Sequence, residues 1–180
     1  MLMNRHSSAL LVIDVQEKLI PAIHESTVLI RNCCWLVSAA GKLNVPIVVS
    51  EHFPDKLGNT PSELKAAMPS AQYVAKRYFS AVRESILEKT AIASADQIII
   101  CGMEAHVCVF ETAMDLKKNG KQVYVVADAC GSRKQLDSDL AYARMRMHDI
   151  EIVSREMVLF EWLEKAGTDL FREMSKNFLR

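Results

Sequence analysis

The sequence predicts an α/β fold: a three-layer, Rossmann-like α/β/α sandwich with helices on both faces of a mostly parallel six-stranded sheet. Three observations favour this class. Short apolar runs alternate along the chain with segments of helical periodicity. Strict alternation implies parallel strands joined by right-handed crossovers. The runs are apolar throughout, as strands buried on both faces should be. The 180 residues are expected to form one domain over 1–180.

The first half of the chain supplies three predicted strands and one long helix. Ala9–Ile13 is apolar throughout, long enough for a buried strand and too short for a buried helix. A helix over Thr27–Leu43 ends where a proline follows, and Ile47–Val49 is the second strand. Glu51–Pro61 is rich in turn-forming residues and is expected to be a loop, and Tyr73–Ala75 is a short third strand.

The second half continues the alternation. Ser85–Ala93 is predicted to be helical, and Gln97–Cys101 is a fourth strand that is apolar after its first residue. Val107–Lys118 is predicted to be a helix because Asn119-Gly120 supplies a strong C-terminal stop. The remaining elements are strands at Val123–Ala127 and Ile150–Val153 and helices at Ser138–Met147, Glu156–Glu164 and Asp169–Asn177.

Composition limits the classes of partner and the compartment. Lysine plus arginine equals aspartate plus glutamate at 22 each, which gives no electrostatic reason to expect nucleic acid or an anionic membrane as partner. No apolar stretch approaches the ~18 residues of a transmembrane helix, and the N-terminus lacks the pattern of a signal peptide. Five cysteines without CxxC spacing favour a reduced, cytoplasmic setting.

Three reactive residues occur where predicted strands end. Asp14 and Lys76 terminate the first and third strands, and Cys108 follows the fourth after a short turn. In parallel sheets the carboxyl ends of strands border the crevice that holds the active site, so these three side chains are expected to converge. A carboxylate at the end of a buried strand is partly desolvated, which suits it to proton transfer.

Each of the three residues also has a structural interpretation. Asp14 could cap the following segment, Lys76 could extend to the surface, and Cys108 could be a small buried hydrophobe. Against the last interpretation, a position at a helix start near a lysine predicts a lowered thiol pKa for Cys108, and hence a nucleophilic thiolate.

Other candidates are weaker. Glu51 and His52 could offer metal ligands, but no second histidine follows, so a metal site is not expected. His106 lies two residues before Cys108, a spacing that favours a role in lining the site over a cysteine–histidine pair.

Four segments carry a resemblance to a known family. They are Ala9–Gln16, Lys76–Ala81, Ile100–Val109 and Asp128–Arg133. Together and in this order they resemble the isochorismatase-like cysteine hydrolase superfamily, which includes nicotinamidases and N-carbamoylsarcosine amidohydrolase. The resemblance runs from about Ser8 to Val158, and it is most similar to the isochorismatase domain-containing protein subgroup.

The resemblance implies a mechanism and its residues. Asp14 would take the thiol proton of Cys108 and Lys76 would stabilise the thiolate, which attacks a carbonyl carbon. The backbone N–H groups of Val107 and Cys108 would form an oxyanion hole. A cis peptide bond is also expected, at Met103–Glu104. Independently of the resemblance, the residues expected to line the substrate pocket are Phe53, Tyr78, Phe79, Glu104 and His106, and the three aromatic residues could instead belong to the core.

Departures from the family narrow this expectation. Nicotinamidases carry an aspartate and two histidines for a metal, whereas this chain has only Glu51 and His52 in that loop. True isochorismatases do not depend on the cysteine, so the presence of Cys108 argues against isochorismate as substrate.

The predicted function is hydrolysis of a small amide-type (C–N) substrate through a covalent thioester, without a cofactor. Two alternatives stay open: a non-catalytic scaffold, and a thiol redox sensor in which Cys130 resolves oxidised Cys108. A ribonuclease is disfavoured because no basic run exists to hold a phosphate backbone. A homo-oligomer is expected, with apolar area offered by Met157–Phe160 and Trp162-Leu163.

Overall fold

A computed structural model describes residues 1–179 and contains a six-stranded sheet in the order β3-β2-β1-β4-β5-β6. Every neighbouring pair of strands in it is parallel. The strands are β1 (Ser8–Ile13), β2 (Ile47–His52), β3 (Gln72–Lys76), β4 (Gln97–Met103), β5 (Gln122–Gly131) and β6 (Glu151–Val153). All six predicted strands are present, and the α/β sandwich is confirmed.

Helices lie on both sides of this sheet. They are α1 (Ser26–Lys42), α2 (Pro54–Leu57), α3 (Ser62–Ala67), α4 (Ala91–Ser94), α5 (Phe110–Lys118), α6 (Gln135–Arg146), α7 (Arg155–Leu163) and α8 (Asp169–Phe178). A 3₁₀ turn precedes α1 at Ile20–Ala22, and a π-helical turn over Ala105–Val109 leads into α5. Helix α1 packs against α7 and α8, while α5 packs against α6 and the π-helical turn. None of the helices in residues 1–179 is long and apolar enough to cross a membrane.

The central strand β1 aligns the parts of the site. All six of its residues are buried, because β2 and β4 flank it and helices cover both faces. The end of the strand, Ile13, lies beside Ser50 of β2 and Gly102 of β4. The carboxyl ends of the three central strands therefore stop at the same level, where Asp14 and the turn after β4 emerge together.

One predicted helix is wrong. Ser85–Ala93 forms successive turns, and only Ala91–Ser94 is helical. Ser85, where the predicted helix would begin, has a left-handed backbone with φ +53°. The short helix α4 begins later because the Thr90 hydroxyl accepts a hydrogen bond from the Ile92 N–H at 3.3 Å. The predicted loop over Glu51–Pro61 is also shorter than expected, because β2 extends to His52 and α2 forms beyond it.

The closing helix α7 offers only part of the exposed apolar area expected of it. Met157 is 48% exposed and Phe160 47%, whereas Val158, Leu159, Trp162 and Leu163 are buried in the protein's own core. The Trp162 indole N–H donates to the Ser8 hydroxyl at 3.1 Å, and the buried side chains pack inward because the helix lies over α1 and β5.

Candidate active site

A buried ion pair forms the floor of the crevice at the ends of β1 and β3. The Lys76 Nζ lies 2.6 Å from Asp14 Oδ2, and both side chains are fully shielded from solvent. The hydroxyl of Ser50 on β2 donates to the other carboxylate oxygen, Oδ1, at 2.8 Å. Asp14 leaves β1 with a left-handed backbone, at φ +51°, a conformation that aspartate tolerates better than most residues. A buried charge needs such a partner, because an unpaired one would be strongly destabilising.

The ammonium of Lys76 contacts three groups. It forms the ion pair with Asp14, and its Nζ donates to the backbone carbonyl oxygens of Tyr78 at 3.2 Å and Phe79 at 2.9 Å. Lys76 is therefore held as a fixed positive charge, and the surface location considered for it from the sequence is wrong.

Cys108 lies next to this pair, in the π-helical turn that follows β4. Its thiol is within hydrogen-bonding reach of both Asp14 and Lys76, and the side chain is only 5% exposed. The structure thus brings the three predicted residues together at one point. Their catalytic roles remain predictions.

The protonation state expected for Cys108 is wrong for the resting protein. Burial raises the pKa of the Cys108 thiol, the Asp14 carboxylate raises it further, and the Lys76 ammonium opposes these effects without overcoming them. Cys108 lies inside the π-helical turn, two residues before α5 begins. The resting thiol is therefore neutral and has a carboxylate beside it to accept its proton.

The turn between β4 and Cys108 does not contain the expected cis peptide bond. Met103–Glu104 is trans. The chain reverses instead through positive φ angles at Gly102 (+140°) and Glu104 (+59°), followed by the wide π-helical turn. Gly102 cannot be replaced without strain, because an added Cβ would lie 2.1 Å from the Ile13 carbonyl oxygen. The close approach of β4 to β1 at this point brings the turn against Asp14.

The proposed oxyanion donors lie in this turn. The Val107 N–H donates to the Glu104 carbonyl oxygen at 2.9 Å, and the Val109 N–H donates to the same oxygen at 3.3 Å. The Val107 donor is thus engaged within the turn in this state, and an incoming oxyanion would have to share it.

Two polar pairs hold the outer side of the turn between β4 and Cys108, which we call the nucleophile turn after the role proposed below for Cys108. The Arg133 guanidinium donates to both carboxylate oxygens of Glu104, with Nε–Oε1 at 3.0 Å and Nη2–Oε2 at 3.4 Å. The His106 Nδ1 lies 2.9 Å from the Ser132 hydroxyl. Glu104 and His106, both predicted to line the pocket, are therefore anchored to the segment that follows β5.

Aromatic rings form the opposite side of the site. The His52 ring contacts Phe53 edge-on at 5.1 Å and Phe79 at 5.6 Å between centroids. Phe53, Phe79 and Tyr78 are partly exposed, and the carbonyls of the latter two contact Lys76. A small cavity of about 180 Å³ lies beside Phe53 and Lys76. Phe53, Phe79 and Tyr78 therefore lie at the surface near Lys76, and their contact with substrate stays a prediction.

Glu51 and His52, the last two residues of β2, do not fit a metal ion. The Glu51 Oε1 accepts hydrogen bonds from the Thr60 N–H at 2.7 Å and the Thr60 hydroxyl at 2.8 Å. The pKa of His52 is lowered, first by burial and then by the nearby Lys76 charge. Within residues 1–179, no three His, Cys, Asp or Glu side chains converge as a ligand set. Glu51 therefore anchors the loop that contains Thr60.

Sequence reasoning missed two supporting residues. Ser50 orients Asp14, and its only signal was a polar residue interrupting the apolar run of β2. Gln16 is fully buried and joins β1 to the loop after β2. Its amide nitrogen donates to the carbonyls of His52 and Gly58, and its oxygen accepts from the His52 N–H at 2.7 Å. A glutamine just after a buried strand and the carboxylate that follows it could have indicated such a link.

Comparisons with known proteins identify the family of this chain. The isochorismatase domain profile matches residues 8–157. Isochorismatase domain-containing protein 2 of Danio rerio is 35% identical over 170 residues, covering 94% of this chain and 85% of that protein. Among solved structures, MAR1 ribonuclease from Caenorhabditis elegans matches with a TM-score of 0.94 at 30% identity, covering 100% of this chain and 93% of that one.

A more distant solved structure shares the fold. It is the YcaC gene product from Escherichia coli, described as an octameric hydrolase of unknown specificity. The TM-score is 0.91 at 24% identity, over 99% of this chain and 91% of that one.

Proposed function

Because the chain belongs to the isochorismatase domain family, we propose that it is a cysteine-dependent hydrolase of a small amide-type substrate. The reaction would pass through a covalent thioester on Cys108. One observation carries the proposal: a fully buried Asp14–Lys76 ion pair, 2.6 Å between charged atoms, with the Cys108 thiol in reach of both groups. A base, a cation and a nucleophile are the three groups that acyl transfer by a thiol requires.

In the acylation step, the S–H proton of Cys108 moves to Asp14 as sulfur attacks the substrate carbonyl carbon. The raised pKa of the Cys108 thiol makes this transfer necessary, because little free thiolate exists at neutral pH. The negative charge passes from the carboxylate to the sulfur, and Lys76 stays beside both groups. The total charge of the cluster is therefore unchanged, which limits the energetic cost in a buried site.

The tetrahedral intermediate places a negative charge on the former carbonyl oxygen. The Cys108 and Val107 N–H groups would hold this oxyanion, with Val107 sharing its hydrogen bond to the Glu104 carbonyl. Collapse of the intermediate breaks the C–N bond, and the leaving nitrogen takes the proton from Asp14. The acyl group stays on sulfur as a thioester.

Deacylation uses the same groups with water. Asp14, again a carboxylate, would take a proton from a water molecule while the oxygen of that water attacks the thioester carbon. The Cys108 sulfur then leaves and regains a proton from Asp14. Both half-reactions thus use one base in the same place. We expect a small substrate, because Cys108 is only 5% exposed.

The direct test is a hydrolysis screen over small amides, carbamoyl compounds and ureides, run in parallel on the parent and on Cys108→Ala. We expect release of ammonia or amine from one class by the parent and none by the variant. Intact-mass spectrometry after a rapid acid quench should show one acyl adduct on a peptide containing Cys108. Turnover that persists in Cys108→Ala would contradict the proposal.

Metal content is tested in the same screen. No metal requirement is expected, so a chelator should leave turnover unchanged. Stoichiometric zinc that is lost in His52→Ala would contradict this part of the proposal.

A ribonuclease activity is the second candidate, because the C. elegans neighbour carries that name. The net charge of zero and the buried thiol favour a small neutral substrate over a polyanion. Incubation with a labelled RNA separates the two functions. Cleavage of RNA by the parent, and its loss in Cys108→Ala, would replace the amide proposal.

The redox-sensor alternative has a different product. It requires a Cys108–Cys130 disulfide after peroxide treatment. The surroundings of the two thiols differ: Cys130 lies near Cys33 and the Gly102 backbone, whereas Cys108 lies near Asp14 and Lys76. Peptide mapping after peroxide should therefore find Cys108 oxidised without a partner from Cys130.

A homo-oligomer is also proposed. The octameric state described for the E. coli neighbour and the balanced charge of this chain both favour self-association.

A further inference from the structure

Helix α6 presents an unpartnered apolar stripe to solvent. Leu136 is 64% exposed, Leu140 55% and Met147 81%, and Ala143 between them is also exposed. Their spacing of four, three and four residues places all four on one narrow side of a helix. Isolated exposed apolar residues are ordinary, but four in register at heptad spacing form the seam of a helix pair. The opposite side of α6 is already used, because Tyr142 and Met145 are buried in the core.

Charges flank this α6 stripe in an ordered way. Asp137 and Asp139 lie in the first half of the helix, and Arg144 and Arg146 in the second half. Asp137 and Arg144 are seven residues apart and therefore lie along one side of the stripe, while Asp139 and Arg146 lie along the other. The Arg144 guanidinium is held over the Phe110 ring at 4.3 Å, which fixes it beside the stripe.

We propose that the α6 stripe is the contact surface for a second copy of this chain, with the two α6 helices antiparallel about a two-fold axis. In that arrangement Leu136 faces Met147 of the second copy, and Leu140 faces Ala143. Each large side chain of the inner pair then meets a small one, which allows close packing.

The charges select this orientation. Antiparallel helices bring the acidic half of each copy against the basic half of the other, so Asp137 meets Arg144 of the second copy and Asp139 meets Arg146. By symmetry each contact occurs twice, which gives four attractive pairs. A parallel pair would retain only Asp139 against Arg144, twice. The contact is isologous, as closed two-fold assemblies require.

A stable dimer must bury a minimum area of surface, and α6 alone does not supply it. Helix α6 has 12 residues and a length of about 18 Å. A stable dimer buries about 800 Å² on each partner, so surface at both ends of α6 must join the contact. At one end, Arg133 lies two residues before α6 and is bonded to Glu104 of the nucleophile turn. The proposed surface therefore borders the turn that contains Cys108.

Charge-reversal variants test the pairing directly. One variant carries Asp137→Arg with Asp139→Arg, and the other carries Arg144→Asp with Arg146→Asp. Alone, each places like charges across the contact and should weaken self-association at least about tenfold. Mixed in equal amounts, the two should associate with each other, because an all-basic face then meets an all-acidic one. Sedimentation velocity at micromolar concentration measures each state against the 20.2 kDa chain.

Leu140→Glu and Phe160→Glu form the matched control. Both replace a half-exposed apolar residue by a charge, Leu140 at 55% exposure and Phe160 at 47%, on different helices. Leu140→Glu should lower the assembly mass and Phe160→Glu should leave it unchanged, with circular dichroism confirming that both are folded. A monomeric parent, an unchanged mass in Leu140→Glu, or no association of the mixed charge variants would overturn the proposal.

Discussion

The protein holds buried thiols in two settings, and they differ in charge. Cys108 lies against a carboxylate and an ammonium at the end of the sheet. Cys33, Cys101 and Cys130 lie inside the core, where their neighbours are backbone carbonyls and one another. The Cys33 thiol donates to the Ala129 carbonyl at 3.4 Å, and the Cys130 thiol to the Ile100 carbonyl at 3.7 Å.

Burial alone does not separate the two settings. The pKa of the Cys101 thiol is raised by its hydrogen bond with Cys33 and by burial, and burial raises the pKa of Cys130 as well. The pKa of Cys108 is also raised. What Cys108 has in addition is an adjacent proton acceptor and a cation. Under the proposed mechanism, the capacity of a buried thiol to lose its proton during the reaction depends more on a neighbouring proton acceptor than on the resting pKa of the thiol.

The largest expected effect is the loss of turnover when the Cys108 thiol, which lies beside the two charged groups, is removed. Cys108→Ala should lower kcat/KM at least about 1,000-fold, measured with the substrate class found in the screen. Cys101→Ala should change kcat/KM by less than about threefold while lowering the free energy of unfolding by about 1 kcal/mol, because it leaves a small buried void. Equal losses of activity in the two variants would erase the distinction between the settings.

The next effect concerns the ion pair that makes the Cys108 setting different. Lys76→Met leaves Asp14 buried without its cation, which should cost about 3–5 kcal/mol of unfolding free energy in urea denaturation. Lys42→Met is the matched control: its partner is Glu173 and both side chains are about half exposed. That exposed pair should contribute at most about 1 kcal/mol. A small effect of Lys76→Met would mean that Asp14 is not charged in the folded protein.

A smaller effect is expected on thiol reactivity itself. Asp14→Asn removes a charge that raises the pKa of Cys108 and leaves Lys76 facing the sulfur. Alkylation of Cys108 by iodoacetamide at pH 8 should therefore become several-fold faster, although turnover is lost with the base. Alkylation of Cys101 and Cys130, followed in the same peptide digests, provides the internal control. Slower alkylation of Cys108 would show that Asp14 activates the resting thiol.

The smallest effect extends the comparison from thiols to an imidazole beside the same cluster. Burial, and then the Lys76 charge, lower the pKa of His52 below its ordinary value of 6.5. The unfolded chain therefore binds more protons at this position, so the free energy of unfolding should fall as the pH drops below 6.5. His52→Gln should reduce that acid sensitivity, whereas His148→Gln, at an exposed position, should not. Identical pH profiles for the parent and His52→Gln would exclude this contribution.

Much of the site could be predicted because it depends on one-dimensional features. Apolar runs located the strands, and parallel strands end at a common edge, so Asp14 and Lys76 were expected to meet. The support from Ser50 depends on the register between β1 and β2, which apolar pattern does not define. The Glu104–Arg133 pair joins residues 29 positions apart, and nothing local indicates it.

Backbone conformation was the other source of error. The turn after β4 reverses through left-handed Glu104 with a trans bond, and the helix predicted at Ser85 is interrupted by a left-handed residue. In both cases a non-glycine residue adopts a positive φ, which is uncommon and has little sequence signal. The same conformation at Asp14 and Phe53 shows that it recurs where strands leave the sheet for the site.

The three groups that contact the Lys76 ammonium have a consequence for how a substrate enters. Two of them are backbone carbonyls of the segment that carries Tyr78 and Phe79. A hinge motion of that segment would withdraw both carbonyls from a buried ammonium, so the backbone is held while the charge is present. The exposed rings remain free to rotate, on the picosecond-to-nanosecond scale of surface side chains. A substrate should therefore reach Cys108 through fast rotation of the Tyr78 and Phe79 rings, while the backbone of their segment stays in place. No slow opening of a lid should limit the turnover rate.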